Sequence, residues 1–169
     1  RVVSLDYRQG PEHRHPAASE DVAAAYRDLL KSYRPENIGI YGCSAGGMLA
    51  GMAVAWFHRH GLPRPGAVGI LCAGAANLGG NAFAGDASYT TLPLGEGRVP
   101  PPGGNPVQME YFAGTDPDDP LVAPASSPEV VALFPPTPIV TGTRSFELSN
   151  AVYTHPQLVK NGVDADLHV

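Results

Sequence analysis

Cysteine is scarce in this chain: Cys43 and Cys72 are the only two. Two thiols cannot build the disulfide framework of a small secreted domain. Cys43 lies in a glycine-serine turn and Cys72 in an apolar run, so the sequence predicts buried free thiols in a reducing, cytoplasmic compartment. Runs of basic residues are also missing. Eleven Lys and Arg against sixteen Asp and Glu leave a net charge of −5, which argues against a nucleic-acid partner and against an anionic membrane surface. No apolar stretch reaches the ~18 residues of a membrane span, and no signal-peptide pattern is visible. An initial Met is absent as well. The apolar run Val2–Arg8 begins without a turn or a cap, so Arg1 is expected to be a cut end.

What is present can build a core. Hydrophobic residues make up 43% of the 169, enough for one domain or part of a larger one. Gly (20) and Pro (18) cluster between residues 61 and 138, which marks that part as loop-rich. Short apolar runs alternate with helical periodicity. Strands are predicted at 2–8, 38–43, 67–73, 138–142 and 164–169. Helices are predicted from a Ser19 cap to Tyr33, over 45–60, over 105–112 and over 146–160. The 67–73 run is apolar throughout, as in a parallel strand covered on both faces. The 45–60 helix is apolar almost all round and should be buried on most sides. In the last helix Leu148, Val152, Leu158 and Val159 are expected to face inward, and Pro156 to kink or divide it. Strands alternating with helices give an α/β fold with a mostly parallel, doubly wound sheet.

Metal chemistry finds little support. His13 and His15 stand two apart in a proline-bounded loop without a third ligand. His58 and His60 close the 45–60 helix, where cationic groups suit the negative end. Asp116, Asp118 and Asp119 read as turn chemistry, because the glycine and glutamate spacings of a calcium loop are missing. No cofactor or metal is predicted.

The most informative stretch is Gly42-Cys43-Ser44-Ala45-Gly46, between a predicted strand and a predicted helix. It fits G-x-S-x-G, the nucleophile elbow. A serine on so tight a turn lifts its hydroxyl clear of the sheet. Gly42 and Gly46 are expected to leave room for the crossing backbone, and the Ala45 amide to point at the oxyanion of a tetrahedral intermediate. A glycine-rich turn before a helix can also cradle phosphate, but no P-loop lysine follows the glycines.

Together with Asp6-Tyr7-Arg8, Pro11-Glu12-His13, Pro16-Ala17-Ala18, Glu20-Asp21, Asp119-Pro120-Leu121, Pro135-Pro136-Thr137-Pro138 and Thr141-Gly142-Thr143-Arg144, this stretch resembles the hormone-sensitive-lipase-like carboxylesterases of the α/β-hydrolase superfamily over nearly the whole chain. The resemblance implies a partial α/β-hydrolase domain over 1–169, truncated at both ends, with 75–134 as a lid or substrate-pocket insertion. It also implies acyl transfer on a small-molecule ester, with Ser44 as nucleophile and Ala45 as one oxyanion donor. The family usually has Asp where Cys43 stands.

Three features depart from the family. Its His-Gly-Gly oxyanion segment would lie before Arg1. Its catalytic histidine would follow the last strand, and His168 matches a position inside that strand, so the chain is expected to lack the base. Its acid usually directly follows the residue matched by Arg144, where this chain has Ser145. Glu147, two residues on, is the nearest carboxylate and the expected acid; otherwise it is an ordinary charge in a helix first turn. The rival expectation is a non-catalytic relative that binds a ligand or partner through 74–134.

Overall fold

The computed structural model describes residues 1–76, 110–143, 145 and 147–169. Four strands form one sheet in chain order: β1 (Gly39–Cys43), β2 (Ala67–Leu71), β3 (Thr137–Val140) and β4 (Ala165–His168). All three neighbouring pairs are parallel, so each connection must cross from one end of the sheet to the other. Helix α2 (Ala45–Arg59) makes the crossing from β1 to β2, and α4 (Leu148–Lys160) the crossing from β3 to β4. Helix α1 (Ala17–Leu29) packs on α2, and α3 (Pro128–Val131) is a single capped turn before β3. The α/β class and the parallel sheet are as the sequence predicts.

The register lines up Ile40 with Val68, Ile70 with Ile139, and Ile139 with Leu167. These residues share one face, where Met48 and Val54 of α2 and Ala151 and Leu158 of α4 join them in a single cluster. The other face is more open: Tyr41 is 67% and Val140 38% exposed. β2 therefore buries alternate residues instead of both faces. Helix α2 is sandwiched between this sheet and α1, which is why every residue from Gly47 to Phe57 is buried. Its outer side holds Leu49, Ala53 and Phe57 against Val22 and Tyr26 of α1, with the Tyr26 and Phe57 rings stacked at 4.4 Å.

Several boundaries differ from the sequence expectation. Helix α1 opens at Ala17, so Ser19 is inside its first turn, buried, and caps nothing. The cap comes instead from far along the chain: the Ala18 N–H donates to the Tyr111 hydroxyl at 2.8 Å. A helix's first amides need acceptors, and any well-placed oxygen serves. Tyr111→Phe keeps the ring and strands that amide. Chemical denaturation should show a loss of about 1–2 kcal/mol, and an unchanged midpoint would mean that water takes the hydroxyl's place. Helix α1 also stops at Leu29, four residues short of Tyr33, which is 40% exposed.

The predicted strand at 2–8 is unpaired, because no described strand offers it a ladder; Val2 is 74% and Leu5 37% exposed. Its end is nevertheless anchored. The Arg8 backbone and Nε donate to Asp21, and Nη2 donates to Glu20 and to the Ala17 carbonyl.

Helix α4 runs through Pro156 undivided. Pro156 deprives the Val152 carbonyl of its donor, but Val152 is 47% exposed and water can serve there. The buried face of α4 is Asn150, Ala151, Thr154 and Leu158. Val152 and Val159 point outward, contrary to the apolar pattern.

Of the helix predicted at 105–112, residues 105–109 lie outside the described residues, and Glu110–Phe112 is one 3-10 turn. The acidic stretch is turn chemistry, as expected. Asp116 Oδ1 accepts from the Asp118 N–H at 3.0 Å, and Asp119 Oδ1 from the Leu121 N–H at 2.9 Å. Among the described residues no helix is long and apolar enough to cross a membrane.

Candidate active site

Ser44 joins β1 to α2 with φ 54° and ψ −121°. A residue with a Cβ held there stores about 1–3 kcal/mol of strain. Hydrogen bonds on either side hold it. The Ser44 N–H donates to the Leu71 carbonyl at 2.8 Å, and the Ser44 carbonyl accepts from the Met48 N–H at 3.0 Å. A Cβ on Gly42 would run into the Gly46 backbone, and one on Gly47 would lie 2.9 Å from both Ala73 Cβ and the Leu71 carbonyl oxygen. Gly46 differs from the expectation: a Cβ there meets nothing within 4 Å, and its role is to be the backbone that Gly42 must clear. The first turn of α2 thus presses against the ends of β1 and β2, while Ser44 and Ala45 remain exposed.

Because the strands are parallel, their following loops share one edge of the sheet. Ser44 follows β1, Cys72 follows β2, and Glu147 lies on the loop after β3. Ligands of such sheets bind beyond the carboxyl ends of the strands.

Glu147 is not an exposed helix-end charge. It is 3% exposed, and its carboxylate accepts from Asn150 Nδ2 at 3.2 Å. Burial pushes its carboxyl up to about 7, with the Asn150 bond opposing. Asn150 Oδ1 accepts from the Ala76 N–H at 3.1 Å, and Thr154 Oγ1 from the Ala75 N–H at 2.8 Å. The polar residues of α4 therefore fasten the loop after β2, which explains why they displace valines from the buried face. Sequence reasoning missed Asn150 and Thr154. Their signal was present: Glu147, Asn150 and Thr154 recur at i, i+3 and i+7, one helical stripe. Ser145 supports the turn, its Oγ accepting from the Glu147 N–H at 3.2 Å.

The six histidines have other settings. His13 is on an exposed loop. His15 sits among the rings of Trp56, Tyr111 and Phe112, where burial lowers its pKa. His58 and His60 are exposed at the far end of α2, His60 stacked on Trp56 at 4.0 Å. His155 contacts the Ala165 carbonyl through Nε2 at 3.2 Å. His168 ends β4, and its carbonyl accepts from the Thr141 N–H at 2.8 Å.

Both cysteines are free and exposed, which corrects the expectation of burial. Cys43 shares the Tyr41 side of β1, away from the packed face, and Cys72 turns out of β2 with φ 49°.

Beside Ala45 opens a cavity of about 370 Å³. Met48, Leu49 and Met52 form one wall, and Tyr7, Pro11, Tyr111 and Phe112 form much of the rest.

The family profile described as alpha/beta hydrolase fold matches residues 1–169. The chain belongs to that family. Among α/β hydrolases, a crystal structure of an esterase from the bacterial hormone-sensitive lipase family is 32% identical, with TM-score 0.75, covering 98% of this chain and 54% of that one. A hormone-sensitive lipase from a metagenome library is 29% identical with TM-score 0.79, covering 98% and 55%. An acetyl-hydrolase of Streptomyces hygroscopicus is 37% identical over 125 residues, 73% of this chain and 40% of the relative. Within the α/β hydrolases the chain is thus similar to esterases and lipases of the hormone-sensitive-lipase type. The chain spans about half the length of these solved structures and less of the acetyl-hydrolase.

Proposed function

We propose that this α/β-hydrolase chain carries the nucleophile and the acid of a serine carboxylesterase acting on small to medium acyl esters. Ser44 attacks the ester carbonyl, the alcohol leaves, and water releases the acid from the acyl-enzyme. The observation that carries the reading is the strained, exposed Ser44 at the strand-to-helix turn, on the carboxyl edge of a parallel sheet. The Ala45 amide, at the start of α2, supplies one oxyanion donor. The apolar cavity beside Ala45 takes a carbon chain of the ester; of the pocket-wall insertion expected over 75–134, residues 77–109 lie outside the described residues, and Glu110, Tyr111 and Phe112 line the cavity. Glu147 is the carboxylate that orients the base. Burial raises its pKa to about 7, and a nearby imidazolium would favour its ionised form. The base is taken to come from outside these 169 residues, since among the described residues no histidine side chain hydrogen-bonds Ser44 or Glu147. The reaction needs no cofactor, and the compartment is the cytoplasm.

A second reading, a non-catalytic relative binding a ligand in the same cavity, rests on Ser145 standing where the family's acid usually is. Hydrolysis of p-nitrophenyl acetate and butyrate separates the two. The 169-residue chain alone should stay at background. The longest reading frame that contains it should turn over both esters and take up a covalent phosphyl group at Ser44 from an organophosphate. Turnover by the short chain that Ser44→Ala removes would place the base within it. Ester binding without a Ser44 adduct in the long polypeptide would favour the non-catalytic relative.

A further inference from the structure

We propose that Cys43 and Cys72 form a reversible dithiol–disulfide modification site beside the Ser44 turn, closed by hydrogen peroxide or an organic hydroperoxide. The register of β1 and β2 pairs Cys43 with Leu71, so Cys72 is one step further along the neighbouring strand. Adjacent strands ~4.8 Å apart and a rise of ~3.3 Å per residue put the two Cα atoms about 6 Å apart. That lies inside the range disulfides span. Cys72 leaves the strand with φ 49°, which breaks the alternation of side chains, and the two thiols come within hydrogen-bond reach. Both residues are exposed, so a small oxidant can arrive. The backbone on each side is held: the Cys72 N–H donates to the Val140 carbonyl at 2.7 Å, and the Ser44 N–H to the Leu71 carbonyl at 2.8 Å.

The steps balance. The Cys43 thiolate attacks one peroxide oxygen, an S–O bond forms and the O–O bond breaks. The departing hydroxide takes up a proton as water, leaving a sulfenic acid. The Cys72 sulfur then attacks that sulfur. The S–S bond forms, the S–O bond breaks, and a second water leaves with the Cys72 proton. Two thiols have lost two electrons and two protons, and one peroxide has become two waters. Partial desolvation and the adjacent Cys43 push the Cys72 thiol up, and the same steps balance with either sulfur attacking first. In a reducing compartment such a bond is transient, formed under oxidative load and reversed by thiols.

The test uses the 169-residue chain, its two cysteines giving two titratable thiols. After brief treatment with hydrogen peroxide, denaturation and alkylation, the thiol count should fall from two to none. Proteolysis should yield one peptide pair linking residue 43 to residue 72, two hydrogens lighter than the reduced pair. Dithiothreitol should restore both thiols. The same treatment in denaturant, where chain collapse no longer holds the sulfurs together, should form the link at least about tenfold more slowly. Cys43→Ser should leave a single thiol that oxidises without an intramolecular link. Two unlinked oxidised cysteines, two surviving thiols, or links between chains alone would each overturn the proposal in the wild-type chain, whatever the variant does.

Discussion

Ser44→Ala is expected to lower ester turnover by about 10⁴–10⁶-fold in kcat in any polypeptide that joins this chain to a histidine base, measured with p-nitrophenyl butyrate. On the proposed function the Ser44 hydroxyl is the attacking group. A residual rate within tenfold of wild type would remove Ser44 from the reaction. Stability gives an independent reading of the same residue, and the 169-residue chain suffices for it. Alanine keeps the Cβ that makes φ 54° costly, so Ser44→Ala should leave the urea midpoint nearly unchanged. Ser44→Gly removes the Cβ and should raise stability by about 1 kcal/mol while abolishing turnover. Strain that glycine relieves and alanine retains is a property of a turn built to present a side chain. Equal midpoints for the two variants would show that no strain is stored there.

Glu147→Gln is expected to stabilise the chain at alkaline pH and to leave it unchanged in acid. The folded carboxyl titrates at about 7, against 4.5 for an unperturbed glutamate. Below pH 4.5 both folded and unfolded chains hold the proton, and the group contributes nothing. Between 4.5 and 7 the unfolded chain ionises and the folded chain does not, so stability falls as pH rises, by about 1.4 kcal/mol per unit. Above pH 7 both forms are ionised, and the buried charge leaves a constant penalty of about 3 kcal/mol. Glutamine retains an oxygen for the Asn150 amide and carries no charge at any pH. The difference in urea-derived stability between variant and wild type should therefore grow from near zero at pH 4 to about 3 kcal/mol at pH 8. A difference that stays flat with pH would mean that Glu147 titrates alike in the folded and unfolded chains. In the histidine-bearing polypeptide the same variant should lose activity, because a neutral amide cannot stabilise an imidazolium.

Much of this was legible along the chain. The glycine pattern at 42–47, the β-branched run before it and the apolar run after it each specify local backbone, and the strand, turn and helix formed within a residue or two of their predicted ends. Gly42 needed only the rule that a tight turn leaves no room for a Cβ. The inward face of α4 was misread because valine pattern alone decides a helix face only when nothing polar has a buried partner. Asn150 and Thr154 find theirs in the Ala75 and Ala76 backbone, 74 and 79 residues distant. The Ser19 cap failed for the same kind of reason, since Tyr111 offers its hydroxyl from 93 residues away.

The sequence by itself thus determined the class of the fold, the family and the serine elbow, because each depends on local backbone sterics and on the period of apolar residues. Only the tertiary structure decided that Glu147 is a buried carboxyl with a raised pKa instead of a surface charge, and that the two cysteines meet in the open. Those properties depend on what lies across space from a side chain, which spacing along the chain does not encode.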